Sequence, residues 1–195
     1  MKRTTLPALA TLAFALPLPA AHAALATGDT APPFQAPASL DGKSFTYSLA
    51  DALKRGPVVV YFYPSAYTGG CNLEAHTFAV RHEQFLAAGA TIVGVALADI
   101  GRLNTFSADP DYCGGKIAVA SDTDGHIARA YALGVRDAVP GRKDTRGAAI
   151  EHGFAERSTF VVTPDGHVAA ALAGLSPVDN VDQALAVVQK LAASR

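Results

Sequence analysis

Apolar and polar positions along the chain follow two periods in turn, one typical of strands and one typical of helices. Residues 58–63 and 91–96 are continuous apolar runs rich in β-branched and aromatic side chains, which indicates strands buried on both faces of a sheet. Between them, apolar residues recur at spacings of three, four or seven over residues 71–88. Gly89 follows where a C-terminal helix cap is expected. The pattern therefore predicts a strand, a helix and a strand in succession.

The remaining pattern predicts further short elements. Apolar runs indicate strands at residues 117–120, 158–162 and 167–172, and a turn signal at residues 40–43 indicates two more short strands. Helical spacing predicts helices at residues 49–54, 99–107, 127–133 and 178–193. Residues 134–156 are rich in glycine, charge and turn formers, so we expect a long surface loop there. Strands alternating with helices, followed by a late hairpin, predict an α/β sheet with helices on both faces.

The first 23 residues differ in character from the rest. Lys2 and Arg3 precede an apolar stretch, and Ala21-His22-Ala23 fits a small-x-small cleavage site. A membrane anchor is the alternative, but the stretch is shorter than the roughly 20 residues that span a bilayer, and prolines interrupt it. We therefore expect residues 1–23 to be a secretory signal peptide and residues 24–195 to be one domain, exported to a bacterial periplasm.

Charge and cysteine content narrow the function classes. Removing Lys2 and Arg3 takes lysine plus arginine from 16 to 14, against 17 acidic residues, and leaves a formal net charge of −3. This balance gives no basis for binding nucleic acid or an anionic membrane. A domain of about 170 residues buries a sizeable core without covalent links. The two cysteines, Cys71 and Cys113, are therefore not needed to hold a small fold together, although in an exported protein they could be paired.

Cys71 has the most informative surroundings in the chain. A turn that begins at Pro64 and is rich in glycine delivers it from a predicted strand to the start of a predicted helix. If Thr68 is the N-cap, Cys71 lies at the third helical position, over the unsatisfied N–H groups of the first turn. Those groups and the helix dipole favour a thiolate, which points to redox or nucleophilic chemistry. Thr68 offers a hydroxyl near the sulfur, and Pro64 can shield one side of it.

These residues resemble a known motif. Pro64-x-x-x-Thr68-x-x-Cys71 resembles the active-site motif of the peroxiredoxins, and the residues around it, including Glu74, look like the bacterioferritin comigratory protein subgroup. Arg157 and the strand after it resemble the strand that carries the family's active-site arginine. The resemblance covers roughly residues 28–189. It implies a thioredoxin-like fold, with a central mixed β-sheet flanked by helices on both faces.

The resemblance also implies roles. Cys71 would attack the terminal oxygen of hydrogen peroxide or an organic hydroperoxide. Thr68 and the backbone N–H groups at Cys71 would bind the peroxide oxygens, and Arg157 would hold the thiolate and the developing charge. From the residues alone, Arg157 reads as a solvated arginine at a strand start. Glu74 either orients local groups or is a carboxylate on the helix surface.

A second thiol would complete the cycle that the resemblance implies. The Cys71 sulfenic acid would condense with Cys113, and an external thioredoxin-like dithiol protein would reduce the disulfide. Some members of the subgroup carry this second cysteine near Cys113, whereas others carry it five residues after the first, where this chain has His76. A structural disulfide and an unpaired bystander remain alternatives for Cys113. The resemblance implies no cofactor and no metal, and it implies a monomer or weak dimer.

Two other functions stay open at this point. A thioredoxin-type disulfide oxidoreductase normally uses Cys-x-x-Cys, whereas Glu74 occupies the place of the second cysteine. A non-catalytic binding module on the same fold would need no reactive thiolate. A Cys–His hydrolase and a metal site have weaker support, because no histidine has a motif around it and no His/Cys cluster has ligand spacing.

Overall fold

The computed structural model describes residues 25–194. The predicted signal peptide, residues 1–23, lies outside the described residues, so its cleavage and the export of the chain stay predictions. No helix within residues 25–194 is long and apolar enough to cross a membrane.

Nine strands and five helices form within that range. The strands are β1 (Gln35–Leu40), β2 (Lys43–Ser48), β3 (Val58–Phe62), β4 (Thr91–Ala96), β5 (Ala118–Ser121), β6 (Val135–Arg136), β7 (Phe154–Ala155), β8 (Ser158–Val162) and β9 (Val168–Ala173). The helices are α1 (Leu49–Leu53), α2 (Gly69–Ala87), α3 (Ile100–Ala108), α4 (His126–Ala130) and α5 (Pro177–Ala193). Seven strands form one sheet in the order β2-β1-β5-β4-β3-β8-β9, and β6 pairs with β7.

The sheet is mixed, and its centre is the apolar run predicted to be a buried strand. β3 pairs in parallel with β4 and antiparallel with β8. Its side chains alternate between two hydrophobic cores: Val59 and Tyr61 point to one, and Val60 and Phe62 to the other. Helices α2, α3 and α5 cover the first core, and α1 and α4 cover the second. The predicted α/β sheet with helices on both faces is therefore confirmed.

Helix α2 begins and ends where its sequence signals indicate. Thr68 is the N-cap residue, in an extended conformation, so Cys71 is the third helical residue. Gly89 adopts a left-handed φ of 76° after the last turn. The N–H of Ala90 then donates to the carbonyl of Phe85 at 2.9 Å, as in a Schellman motif.

Two predictions about chain conformation need correction. The helix predicted over residues 127–133 ends at Ala130, because Ala132 adopts a left-handed φ of 55° and turns the chain. The long surface loop predicted over residues 134–156 is more ordered than expected. It contributes the β6–β7 pair, and it buries Ile150 and the charged Asp144. Most charged residues of the segment are exposed, as expected of a surface loop, whereas Asp144 is buried because it pairs with Arg102 on α3 and with Arg146.

Candidate active site

Cys71 lies at the start of α2, beside the end of β3, and only 3 % of its surface is exposed. Pro64 is half-buried in the turn that links these two elements. The N-cap residue of α2, the helix that carries Cys71, is the one that the sequence predicted. The thiol is thus held against the first turn of a 19-residue helix, where backbone N–H groups lack helical partners.

Arg157 lies 86 residues after Cys71 in the sequence, directly before β8, and its side chain reaches the thiol. Its Nη2 atom donates a hydrogen bond to Cys71 Sγ at 3.2 Å. Strand pairing explains the approach: Ser158, the first residue of β8, lies opposite Phe62, the last residue of β3. Arg157, one residue earlier, therefore lies beside the end of β3, and the interpretation as a solvated arginine is wrong.

Glu74 completes this contact from the next turn of α2. The Nη1 atom of Arg157 donates to Glu74 Oε2, while Asn180 Nδ2 on α5 donates to Glu74 Oε1 at 2.7 Å. The carboxyl is fully buried, so the alternative of a helix-surface carboxylate is wrong. Burial raises the pKa of Glu74 to about 7, against the lowering effects of the Arg157 charge and of the Asn180 hydrogen bond.

The same contacts keep the Arg157 guanidinium positively charged. Burial by itself lowers the pKa of Arg157, but the neighbouring charges of Glu74 and Cys71 outweigh it, and the net effect is a raised pKa. Arg157 is therefore a fixed positive charge beside the sulfur. Its two Nη atoms contact two different acceptors, which a single ammonium group on lysine cannot do in the same way.

Thr68 occupies the predicted N-cap position, but its hydroxyl behaves differently from an ordinary cap. The hydroxyl donates to the Ser65 carbonyl at 2.9 Å and makes no hydrogen bond to the first turn of α2. The Thr68 side chain therefore stabilises the preceding turn. The N–H groups of the first helical turn are left unoccupied by a side-chain cap, so they can meet a bound oxygen atom.

A segment remote in sequence braces the same turn. Tyr67 has a left-handed φ of 61°, an uncommon conformation for a non-glycine residue. The backbone N–H of Thr145 donates to the Tyr67 carbonyl at 2.9 Å, and the Arg146 guanidinium lies 3.2 Å from the centre of the Tyr67 ring. Arg102 donates both to the Ala66 carbonyl at 2.9 Å and to the buried Asp144 at 2.7 Å. The sequence carried no signal for this contact.

Cys113 lies in a turn that follows α3, in the same hydrophobic core as Cys71. Both cysteines are free, and Cys113 is fully buried. Burial, assisted by the Asp109 charge, raises the pKa of the Cys113 thiol. The turn is fastened to α2 by a 2.9 Å hydrogen bond between His76 Nδ1 and the Asp111 carbonyl. The two thiols are thus parts of one buried cluster.

Two phenol groups lie close to both cysteines. Burial raises the pKa of Tyr61 and Tyr63, and their electrostatic interaction with Cys113 and Cys71 raises it further in both residues. Within the part of the chain that the structure describes, neither hydroxyl has a hydrogen-bond partner. The ring of Tyr61 lies between two other rings: it stacks on Tyr63 at 5.3 Å and packs at a tilt against Phe78 at 4.5 Å. These rings fix the shape of the core between β3 and the two thiols.

Among residues 25–194, Asp122, Asp124 and His126 bring possible metal-ligand atoms within 4.8 Å of one another. Asp122 already uses both oxygens, which accept the N–H groups of Ile127 at 3.0 Å and Ala128 at 2.9 Å. His126 Nδ1 lies 2.6 Å from Asp124. The group therefore serves as the N-terminal cap of α4, away from Cys71.

The chain matches the sequence model of the AhpC/TSA family over residues 27–171. A Mycobacterium tuberculosis protein that is named as a peroxiredoxin is 35% identical over 147 residues, which are 75% of this chain and 84% of the relative. Peroxiredoxin Bcp of Xanthomonas campestris is 30% identical over 156 residues, or 80% of this chain and 89% of that protein. The predicted resemblance to this family is therefore confirmed.

Solved structures agree. The M. tuberculosis peroxidoxin BcpB superimposes with a TM-score of 0.70 at 26% identity, over 86% of this chain and 98% of that one. The X. campestris bacterioferritin comigratory protein gives a TM-score of 0.63 at 29% identity, over 80% and 91%. A thiol peroxidase is thus favoured over a thioredoxin-type oxidoreductase or a binding module. The chain belongs to the AhpC/TSA family of peroxiredoxins and is a thiol peroxidase with a thioredoxin-like α/β fold.

Proposed function

We propose that Cys71 is the thiolate that attacks the peroxide. The observation that supports this most directly is the 3.2 Å hydrogen bond from Arg157 to Cys71 Sγ, because it places a fixed cation on a thiol at a helix start. The sulfur attacks the terminal oxygen of ROOH, so that an S–O bond forms as the O–O bond breaks. The departing alkoxide or hydroxide takes up a proton, which leaves an alcohol or water and a sulfenic acid on Cys71.

The neighbouring groups have separate roles in this step. Arg157 holds the thiolate and the negative charge that develops on the leaving oxygen. The free N–H groups of the first turn of α2 and the Thr68 oxygen bind the peroxide oxygens. Pro64 has no N–H and shields one side of the sulfur. The X. campestris relative was studied for alkyl peroxide reduction, which supports organic hydroperoxides as substrates besides hydrogen peroxide.

The first test replaces the attacking sulfur. We expect Cys71→Ser to reduce peroxide consumption by the purified protein to background, because a serine hydroxyl is not ionised at neutral pH. Peroxide loss is followed in single turnovers of the prereduced protein. Cys113→Ser is the matched control and should keep the first oxidation step. A Cys71→Ser protein that consumes peroxide at the wild-type rate would contradict the proposal.

We further propose that Cys113 resolves the sulfenic acid. Its thiol attacks the Cys71 sulfur, an S–S bond forms, and the sulfenic oxygen leaves as water. An external thioredoxin-like dithiol protein then reduces the disulfide and becomes oxidised itself. Membership of both cysteines in one buried cluster supports this pairing, as does the hydrogen bond that fastens the Cys113 turn to α2 at His76. The cycle closes within one chain, consistent with a monomer or weak dimer.

Burial of Cys113 implies that its turn moves during the cycle. A buried thiol with a raised pKa stays protonated and is a poor nucleophile. Exposing the turn to water lowers that pKa toward its ordinary value and frees Cys113 to approach Cys71. Gly114 and Gly115, both in left-handed conformations, follow Cys113 and give the turn a backbone that other residues rarely adopt.

The resolving step is tested by mass spectrometry after one equivalent of peroxide. We expect a Cys71–Cys113 crosslink in the wild type and a dimedone-reactive sulfenic acid on Cys71 in Cys113→Ser. If the wild type instead shows sulfenic or sulfinic acid on Cys71 with Cys113 still reduced, the enzyme works with one cysteine. That outcome overturns the role of Cys113 and leaves the role of Cys71 intact.

A further inference from the structure

Asn180 is a buried polar residue that the sequence did not single out. It lies in the first part of α5, four residues after the N-cap Ser176, and is 2 % exposed. Its Nδ2 atom donates to Glu74 Oε1 at 2.7 Å and to Thr159 Oγ1 at 2.9 Å. Both contacts use the Nδ2 atom, whereas Oδ1 has no hydrogen-bond partner among the described residues. Because burying an amide is costly, the two donor contacts of Nδ2 are what offset that cost.

The contacts of Asn180 continue to the reactive sulfur. Glu74 accepts from Asn180 on one oxygen and from Arg157 on the other, and Arg157 donates to Cys71 Sγ. The four side chains come from α5, from α2 and from the residue that precedes β8. Helix α5 is therefore connected to the thiol through hydrogen bonds, although none of its residues hydrogen-bonds the sulfur directly.

We propose that Asn180 is a positioning residue for the peroxidase: it holds Glu74 so that Glu74 keeps Arg157 aimed at the Cys71 sulfur. The inference rests on the proposed roles of Cys71 and Arg157. It adds a residue from α5 to the machinery of the peroxidase reaction.

The physical basis is the state of the buried Glu74 carboxyl. Arg157 faces it from the residue before β8, Cys71 lies one turn earlier on α2, and the phenols of Tyr61 and Tyr63 lie on β3 and directly after it. Only the first of these favours its negative charge. The Asn180 hydrogen bond favours the charged form as well, because an N–H donor stabilises a carboxylate. A protonated Glu74 would hold the Arg157 guanidinium more weakly.

An ion pair between α2 and α5 lies on another part of their interface. Arg81 on α2 and Asp182 on α5 are 2.8 Å apart, and both side chains are partly exposed. The apolar residues Val181, Leu185 and Val188 of α5 lie in one core with the apolar residues of α2, and they hold the two helices together whether or not Asn180 is present. Loss of the Asn180 amide should therefore disturb Glu74 more than it disturbs helix packing.

The test compares two replacements of Asn180. Asn180→Ala removes the amide, and Asn180→Leu removes it while keeping a side chain of similar size in the interface. We expect both to lower the second-order rate with peroxide about tenfold at pH 7. Asn104→Ala is the matched control, since Asn104 lies on α3 and bonds Ser44. A wild-type rate in both Asn180 variants would overturn the proposal.

The pH profile separates positioning from packing. The raised pKa of Glu74 predicts that activity falls as pH drops through about 7, because the carboxylate is then protonated. Without the Asn180 hydrogen bond this pKa rises further, so the acid limb of the rate profile should move to higher pH in both variants. An acid limb unchanged from the wild type would indicate a packing role only and would refute positioning.

A double-mutant cycle provides the decisive comparison. Glu74→Gln cannot titrate, so if Asn180 acts through Glu74, adding Asn180→Leu to Glu74→Gln should change the rate less than twofold. Full additivity of the two effects would contradict the proposal. Thermal unfolding checks that each variant is folded. Failure of the proposed function would give a different result: Cys71→Ser would then consume peroxide at the wild-type rate.

Discussion

The two contacts that Arg157 makes require an arginine side chain at this position. Its two Nη atoms contact Glu74 and the Cys71 sulfur at the same time, so the guanidinium joins a buried carboxyl to the sulfur that we propose reacts. A planar cation with several donors can make both bonds without changing rotamer. The arginine is therefore held in position by the buried carboxylate, and the thiolate gains a charged hydrogen-bond donor that does not reorganise during the reaction.

We expect Arg157→Lys to lower the second-order rate with peroxide by about 100-fold, because one ammonium cannot make both contacts and removal of one preorganised donor has effects of this size. Stopped-flow peroxide consumption measures it. Arg81→Lys, in the exposed pair with Asp182, is the control and should react like the wild type. Equal rates for Arg157→Lys and the wild type would show that charge alone suffices.

At the scale of elements, the segment that follows β6 acts as a brace for the active-site turn. Asp144 accepts from Arg102 at 2.7 Å and from Arg146 at 3.1 Å, and its oxygens also accept backbone N–H groups of its own loop. Through these two arginines the segment holds Ala66 and Tyr67. The left-handed backbone of Tyr67 costs about 1–3 kcal/mol, so such support is needed to keep the turn in place.

Asp144→Asn should destabilise the protein by roughly 3 kcal/mol, because it removes the charge that compensates the buried Arg102. Urea unfolding followed by circular dichroism measures this. Peroxidase activity should fall as well, since the turn before α2 loses its brace. Glu151→Gln changes an exposed carboxylate of the same segment and serves as the control. If the two variants unfold at the same urea concentration, the brace contributes nothing.

At the scale of the whole molecule, the central sheet separates the two hydrophobic cores, and the site lies beside the end of its strand β3. Tyr61 on β3 packs against Gly94 on β4, so closely that a Cβ atom added to Gly94 would lie 2.6 Å from Tyr61 Cζ. The parallel pairing of these strands places the two residues opposite each other. Because Tyr61 is packed between two other rings, it cannot move aside without disturbing the core beside both cysteines.

Gly94→Ala should therefore lower the free energy of unfolding by about 1–3 kcal/mol through overpacking. Gly69→Ala is the matched control: no atom lies within 4 Å of its added Cβ, and alanine favours the helix that begins there. The two variants are compared by urea unfolding. A Gly94→Ala protein as stable as the Gly69→Ala control would show that the Tyr61 ring can shift freely.

The sequence by itself determined the alternation of strands and helices and the N-cap position of Thr68, and it pointed to Cys71 as the thiol that we propose reacts. These depend on local signals, namely apolar periodicity and the turn that precedes a helix. Resemblance to a motif then singled out Arg157. Local signals reach no further than a few residues, so the sequence left open whether Glu74 faces water or the interior.

Only the tertiary structure decided the rest of the site. Helical spacing places Glu74 one turn after Cys71, but packing of α5 against α2 buries it and supplies Asn180, 106 residues away. The segment around Asp144 was predicted to be a charged surface loop, because nothing in the local sequence shows that its partner Arg102 lies beside it. Strand pairing brings Arg157 to the end of β3. Contacts between distant segments depend on how sheets and helices pack, and no local pattern encodes that.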